Sequence, residues 1–500
     1  MPIDQISTKI RRIARENLNF SSLRPGQEEA IRALVRGRDA LVVQPTGSGK
    51  SAIYQIAGLM TTGAAVVVSP LIALQHDQID ALESIQAEAG AVNSHQRVTE
   101  NRDVLEKAES GEIDFLFLAP EQLRKPETLE RLKNMEIGLF AVDEAHCISE
   151  WGHDFRPDYL GLGKVIEELN HPTVVALTAT ASPEVRDEIV SRLHLQNPQI
   201  LVSGFDRPNI HLEVHHSTSI AEKQEALLSR VRWAKTPGII YCGTRKGCEE
   251  VQRNLTEADV SGVVYHAGLR PKERAAIQDK FMNDGAEIIV ATNAFGMGID
   301  KPDIRFVFHF DIPESLDAYY QQIGRAGRDE ERSDAVLFYR PEDIGLRKFQ
   351  TSRGSMIPQR VKQIAETIRS LGSNASVDAV ARETGLSARQ VTNTLRHLED
   401  TGAITLSASG ELELVEARDL FEASETASER SKRHKERLKA RLQKMQMYAD
   451  LHSCRREFLL QYFGDSFTGN CGNCDNCERA GEQFIDPSVG TRREVMADTA

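Results

Sequence analysis

Ala40-Leu41-Val42-Val43-Gln44-Pro45-Thr46-Gly47-Ser48-Gly49-Lys50-Ser51 is the stretch whose reading decides the fold. Four consecutive apolar residues, Ala40–Val43, have the length of a short strand and the pattern of a parallel strand buried on both faces. They lead directly into a Gly-containing loop, and a helical pattern follows. Strand, loop and helix N-terminus in this order cradle phosphate on backbone N–H groups. Gly47 and Gly49 let the backbone curl around the anion, with Thr46 and Ser48 completing the loop. Lys50 is placed for the β/γ-phosphates and Ser51 for Mg²⁺. The usual first Gly of the pattern is Gln44 here.

Outward from this loop, further apolar runs recur at Ala65–Val68, Phe115–Leu118, Leu139–Val142 and Val174–Leu177, separated by helical patterns. A second series follows at Gly238–Tyr241, Val263–Tyr265, Ile288–Ala291, Phe306–Phe310 and Ala335–Tyr339. Two consecutive α/β domains with parallel sheets are predicted, meeting near Ser203 to Asn209. The run Leu139–Val142 ends in Asp143-Glu144-Ala145-His146, at the carboxyl end of a buried strand, where open α/β sheets bind ligands. Asp143 is placed to hold Mg²⁺ through water, and Glu144 to orient and deprotonate an attacking water.

Composition agrees with a soluble globular chain of several domains. The 500 residues are 40% hydrophobic and 27% charged, which excludes collagen, coiled-coil rod and wholesale disorder. No apolar stretch approaches the ~20 residues that span a bilayer. Lys9, Arg11 and Arg12 are not followed by an apolar segment, so no secretory signal is expected. A cytoplasmic protein with no membrane partner is the expectation, nucleoid-associated if bacterial. The net charge of −13, from 61 basic and 74 acidic residues, argues against an overall basic coat but leaves room for a local basic channel.

Past about Phe349 the pattern changes. Helices are predicted over Pro358 to Leu371, Val377 to Thr384 and Ser387 to Leu398, followed by strands Ile404 to Leu406 and Glu411 to Val415. Three helices and a hairpin make a winged helix-turn-helix. In the third helix Val391, Leu395 and Leu398 face the core at helical spacing. Arg389 and Arg396 lie opposite, with the composition of a surface that touches phosphates. The wing tip Ser407-Ala408-Ser409-Gly410 has no bulky residue to wedge between base pairs. DNA contact and a mere spacer role both fit this module.

Of seven cysteines, four crowd the end of the chain: Cys454, then Cys471, Cys474 and Cys477 in a Cys-x-x-Cys-x-x-Cys run. In a cytosolic chain such a cluster points to metal before disulfides. Four thiolates fit a closed tetrahedral Zn²⁺ site, and the spacing alone leaves an iron–sulfur cluster open.

Taken together these motifs resemble the RecQ-type DNA helicases, DEAH-type motors with two RecA-like domains. Phe20 and Leu23-Arg24-Pro25-Gly26-Gln27 look like the family's adenine-reading element. The resemblance implies that Phe20 and Arg24 stack on the base and that Gln27 hydrogen-bonds its edge. Ser69 to Leu74, Ala119 to Leu123 and Leu177 to Ala181 follow in the family's order. Cys147-Ile148-Ser149-Glu150-Trp151-Gly152-His153-Asp154-Phe155-Arg156-Pro157 is similar to its aromatic-rich loop. There Trp151 and Phe155 offer stacking faces, worth ~1–3 kcal/mol per base on such platforms, and Arg156 adds a contact to single-stranded DNA. Phe205 to Ile210, Tyr265 to Leu269 and Ala291 to Asp300 continue the match. Gln321-Gln322-Ile323-Gly324-Arg325-Ala326-Gly327-Arg328 resembles the arginine-finger motif, which implies that Arg325 and Arg328 reach across the cleft to the γ-phosphate. The family resemblance favours zinc at the four cysteines.

The implied architecture is α/β: RecA-like domains over 1–203 and 204–348, a winged helix over 355–417, a helical zinc module over 424–482 and a disordered tail over 483–500. RecQ proteins typically place zinc directly after the motor and the winged helix after that; here a winged-helix pattern precedes the cysteines. The implied activity is ATP-dependent unwinding of duplex DNA with 3′-to-5′ movement on single strands, in repair or recombination. An RNA helicase and a DNA-binding regulatory ATPase without unwinding are the competing readings.

Overall fold

Continuous apolar runs become buried parallel strands, as the pattern requires. The first sheet has seven: β1 Ala40–Val43, β2 Ala64–Val68, β3 Ala89–Val92, β4 Phe115–Leu118, β5 Ile137–Val142, β6 Val174–Thr178 and β7 Gln199–Val202. Their order is β3-β4-β2-β5-β6-β1-β7 and every pairing is parallel. Central strands β1, β2, β4 and β6 are buried along their whole length. Ile31, Val42, Ile53, Val67, Phe117 and Leu177 are among the buried residues that pack one face of this sheet against helices.

The second sheet has six strands: β8 Ile210–His216, β9 Gly238–Tyr241, β10 Val263–Tyr265, β11 Ile288–Ala291, β12 Phe306–His309 and β13 Ser333–Tyr339. They run parallel in the order β10-β11-β9-β12-β13-β8. Helices Ile220–Trp233, Arg245–Glu257 and Leu316–Ile323 each start on a Ser or Thr whose hydroxyl accepts a backbone N–H from the first turn, worth about 1 kcal/mol apiece. Three strands lacked an apolar signature in the sequence: β3, β7 and β8. All three are sheet edges, where one flank and part of a face need not be apolar.

The computed structural model describes residues 3–483 apart from 19, 71, 150–154, 297–298, 300, 346, 349–357, 373–374, 400–403, 407–411 and 415–419. Trp151, the wing tip Ser407 to Gly410 and, of the tail expected to be disordered over 483–500, residues 484–500 therefore lie outside the described residues, while Gln483 ends helix Asp475–Gln483.

Chain contacts divide the molecule into two units, Met1–Arg340 with Met445–Ala500, and Pro341–Lys444. In sequence the second unit interrupts the first. The second unit contains helices Pro358–Leu371, Val377–Thr384 and Ala388–Glu399 and a hairpin of β14 Ile404–Leu406 with β15 Leu412–Leu414. Its core joins Val361, Ile364, Ile368, Val380, Val391, Leu395, Ile404 and Leu412. The third helix opens on a reciprocal cap, in which Ser387 N–H donates to Gln390 Oε1 (3.0 Å) and Gln390 N–H to Ser387 Oγ (3.4 Å), as a capping box does. This is the expected winged-helix arrangement of three helices and a hairpin.

In the first unit, the cysteine segment covers the open edge of the second sheet. Cys474 bridges in parallel to Leu212 of β8, and Val214 N–H donates to Asp475 Oδ2 (3.2 Å). An edge strand is thereby given partners for its backbone groups. Cys454 is the N-cap residue of helix Arg455–Tyr462, with extended-like φ −57° and ψ 121°. That bend turns its thiol toward the other three.

Candidate nucleotide site and metal centre

The phosphate loop has the backbone its sequence demands. Gly47 and Gly49 take φ of 76° and 75°, a left-handed conformation that other residues adopt only with strain. Among the described residues, the N–H groups of Gly49, Lys50 and Ser51 meet no acceptor. They point to an anion at the start of helix Ser51–Gly58, whose dipole favours negative charge. Lys50 Nζ donates to the carbonyls of Gln44 (2.9 Å) and Pro45 (3.2 Å). Burial holds its ammonium below the ordinary pKa, against the pull of Glu144 and Asp143. A phosphate would meet a desolvated cation there.

Gln44, the departure from the usual Gly, is buried and ties the loop to its surroundings: its amide donates to Pro25 O at 2.9 Å and to Ser203 Oγ at 3.3 Å. Gln27 is buried too. Its Nε2 donates to the carbonyls of Ser48 (2.9 Å) and Gly49 (3.0 Å), and its Oε1 accepts from Arg24 N–H (2.8 Å). In this structure Gln27 braces the phosphate loop, with both ends of its amide engaged. Phe20 is 38% exposed and Arg24 is exposed, next to that brace. Thr46 and Ser51 are half-buried and Ser48 is buried.

The carboxylate pair stands at the end of β5. Asp143 N–H donates to Val68 O across the sheet (2.9 Å), and Tyr159 Oη donates to Asp143 O (3.0 Å). Glu144 adopts φ 47° and ψ 45°, a strained conformation of the kind that collects at functional sites. Burial and the Glu144 charge push the Asp143 carboxyl up to about 7, against the pull of Lys50. Two neighbouring half-buried carboxyls with this mutual repulsion fit a divalent cation, whose charge relieves both. Glu144 Oε2 lies 3.3 Å from His146 Nδ1, which is 2.9 Å from Thr178 Oγ1, and Thr178 Oγ1 donates to Thr180 O at 3.2 Å. A polar relay thus runs from the acidic motif to the Thr178-Ala179-Thr180 segment. His146 is held above its ordinary pKa: burial opposes this, but Cys147 and Glu144 outweigh it.

The two arginines of the finger motif part company. A Cβ placed on Gly47 would lie 3.0 Å from Arg328 Cδ and 3.3 Å from its Nε. Arg328, from the second sheet's side, therefore rests on the phosphate loop of the first. Arg325 is 2% exposed and stays within its own half, against Gly296 and the Tyr241 hydroxyl. Of the two arginines expected to reach across the cleft, Arg328 lies against the phosphate loop and Arg325 lies against Gly296 and Tyr241.

Residues that sequence reasoning passed over hold the finger turn. Arg207 donates to the carbonyls of Gly324 (3.1 Å), Ala326 (2.8 Å) and Gly327 (2.8 Å). Asn209 Nδ2 donates to Gly327 O (2.8 Å) and Glu331 O (3.0 Å). The string Phe205 to Ile210 was visible in the sequence, but nothing in it reveals a long-range backbone clamp.

Cys454, Cys471, Cys474 and Cys477 converge so that their ligand atoms lie within 4.8 Å of one another. Asn473 N–H donates to Cys471 Sγ (3.4 Å). Cys474 is drawn down to about 4 by its hydrogen bond from Cys471, with the N–H groups of Arg455 and Cys477 adding to it. Thiolate character and N–H donors to sulfur are what a tetrahedral Zn²⁺ site needs, and the set leaves no open coordination position.

Of the expected DNA-contacting residues, Phe155 is half-buried, and Arg156 donates through Nη1 to Pro70 O (3.2 Å) while its N–H donates to Cys147 O (2.9 Å). The aromatic-rich loop is thereby tied to the Ser69–Leu74 motif. Trp151 lies outside the described residues. Arg389 and Arg396 lie on helix Ala388–Glu399, but their side chains are outside the described part. No helix among the described residues is long and apolar enough to cross a membrane.

Comparison with known proteins bears on the same segments. Residues 24–189 match the DEAD/DEAH box helicase family, 219–330 the helicase conserved C-terminal domain and 413–478 the RecQ zinc-binding family. The probable ATP-dependent DNA helicase RecS of Bacillus subtilis is 37% identical over 466 residues, covering 92% of this chain and 89% of that protein. The ATP-dependent DNA helicase RecQ of Pasteurella multocida is 42% identical over 328 residues, but the match takes in 51% of its length. The chain therefore spans nearly all of RecS and about half of this RecQ. Among solved structures, Mycobacterium smegmatis helicase Lhr bound to ssDNA and AMP-PNP matches with a TM-score of 0.54 at 20% identity, over 85% of this chain and 61% of that one. The DEAD-box helicase Mss116 matches at 0.55 and 17%, over 80% and 95%. These two likenesses show the two-sheet fold. With RecS matched over nearly its whole length and the zinc-binding segment matched at the four converging cysteines, the chain belongs to the RecQ-type family of ATP-dependent DNA helicases.

Proposed function

We propose that this protein couples ATP hydrolysis to 3′-to-5′ movement on single-stranded DNA and to the separation of duplex DNA, in repair or recombination in the cytoplasm. The observation that carries the reading is Arg328 resting on Gly47, because it closes one composite site from two sheets. The loop N–H groups and Lys50 bind the phosphates, and Phe20 and Arg24 lie at the outer edge, on the adenine side. Mg²⁺, held through Asp143 and Ser51, would neutralise charge on the phosphates. Glu144 orients and deprotonates the attacking water, and His146 passes any shift in Glu144 toward Thr178 and Thr180. Arg328 stabilises the charge that develops on the transferred phosphoryl group. Arg325 supports the lining of the second half.

The DNA track is assigned to the aromatic-rich loop, with Trp151 and Phe155 as stacking faces and Arg156 fixing the loop. Domain limits of 1–203, 204–348, 355–417 and 424–482 are part of this reading. Arg389 and Arg396 would grip duplex phosphates from the winged helix. A fluorescent strand-separation assay tests the proposal with matched tailed duplexes of DNA and RNA, with and without ATP. Unwinding of 3′-tailed DNA that needs ATP is expected. Unwinding of RNA alone would make it an RNA helicase; ATP turnover without strand separation would make it a regulatory ATPase.

A further inference from the structure

The segment Asp206–Asn209 faces two ways. On one side Arg207 and Asn209 hold the finger turn through four hydrogen bonds to backbone carbonyls, and Asn209 makes another to Glu331 O just beyond it. The turn tolerates no slack: Gly327 has φ 55°, and a Cβ there would lie 2.5 Å from Asn209 Nδ2 and 2.6 Å from Glu331 O. On the other side the same segment is gripped by the cysteine module. Arg456 donates to Asp206 Oδ1 (2.6 Å) and Ile210 O (2.7 Å), and Asn473, between two of the cysteines, donates to Pro208 O (2.8 Å). Phe463 stacks on Phe205 with centroids 4.7 Å apart and planes 11° apart. A cavity of only about 20 Å³ remains where these parts meet.

From this arrangement we infer that Arg207 is a positioning residue for Arg328, and that the zinc module sets the finger by clamping the segment on which Arg207 stands. The inference rests on the proposed role of Arg328 in hydrolysis. A planar guanidinium presents its N–H donors in a rigid fork that spans the carbonyls of the turn, whereas an ammonium's three donors radiate from a single atom on a flexible stem. Displacements of about 1 Å at a reacting group lower rates by up to about 10²-fold. The linkage is made of direct contacts from Cys471–Cys477 through Asn473 and Arg456 to Asp206, Arg207 and the Gly324–Gly327 turn.

A double-mutant cycle on the full-length, zinc-loaded protein tests this. Arg207→Lys should lower kcat for DNA-stimulated ATP hydrolysis about tenfold, with zinc content, melting temperature and affinity for a fluorescent ATP analogue unchanged. In an Arg328→Ala background the same substitution should change kcat by less than about twofold, since residues acting as a unit are non-additive. Arg456→Gln should show the same pattern at a smaller size, about threefold, and serves as the probe if Arg207→Lys does not fold. An equal fold-loss in both backgrounds, or no loss from either variant alone, overturns the inference. Near-normal hydrolysis in Arg328→Ala itself would instead overturn the role of the finger.

Discussion

The two parallel sheets build opposite halves of the proposed ATP site by different means. In the first, position is set by local backbone: a buried strand, two glycines at positive φ and a helix start place Lys50 and Ser51 within a few residues of β1. In the second, the decisive side chain sits on a turn that owes its shape to distant partners, Arg207 and Asn209, more than a hundred residues earlier in the chain. Distant partners reach the first half only as braces, through Gln27 and Gln44, whereas in the second they hold the turn itself.

That comparison can be broken by experiment, beginning on the local side. Lys50→Ala should abolish detectable ATP turnover by removing the desolvated cation of the loop, read in a coupled-enzyme assay. Glu144→Gln should lower kcat by about 10²–10⁴, the range for a lost general base, with ATP affinity nearly kept. Near-normal turnover would remove Glu144 from that role.

Zinc removal should act on the tertiary side. The protein should contain about one Zn²⁺ per chain by elemental analysis, and Cys474→Ser should lose it and lower the melting temperature of the unit that includes β8. Iron, or no metal, would contradict the assignment. Gly47→Ala joins the two halves. It forces an L side chain into φ 76° and against Arg328 Cδ at 3.0 Å, a strain of ~1–2 kcal/mol that should slow hydrolysis about tenfold. The smallest effect is expected at the winged helix. Arg389→Ala with Arg396→Ala should reduce the log–log salt slope of duplex binding by up to about 0.9 per lost phosphate contact, leaving single-strand-stimulated ATPase intact.

The same contrast explains what could be read from the sequence. β1, β4 and β9 fall where their apolar runs put them, because buried parallel strands are apolar on both faces. The phosphate loop, the acidic strand end and the four cysteines are compact motifs, so their convergence was legible. β3, β7 and β8 were not, since sheet edges carry residues such as Gly90, Gln199 and His211 that no apolar pattern marks. Gln44 and Gln27 bracing the loop, Arg325 turning inward and Arg207 clamping the turn all depend on neighbours far away in sequence.

The central claim, that Arg328 of the second half completes the phosphate site of the first, is tested most directly by single-turnover ATP hydrolysis in Arg328→Ala with saturating single-stranded DNA. The rate should fall by about 10³ or more, as for an arginine finger, while affinity for a fluorescent ATP analogue changes by less than about threefold. Hydrolysis within a few-fold of the unmodified protein would contradict it.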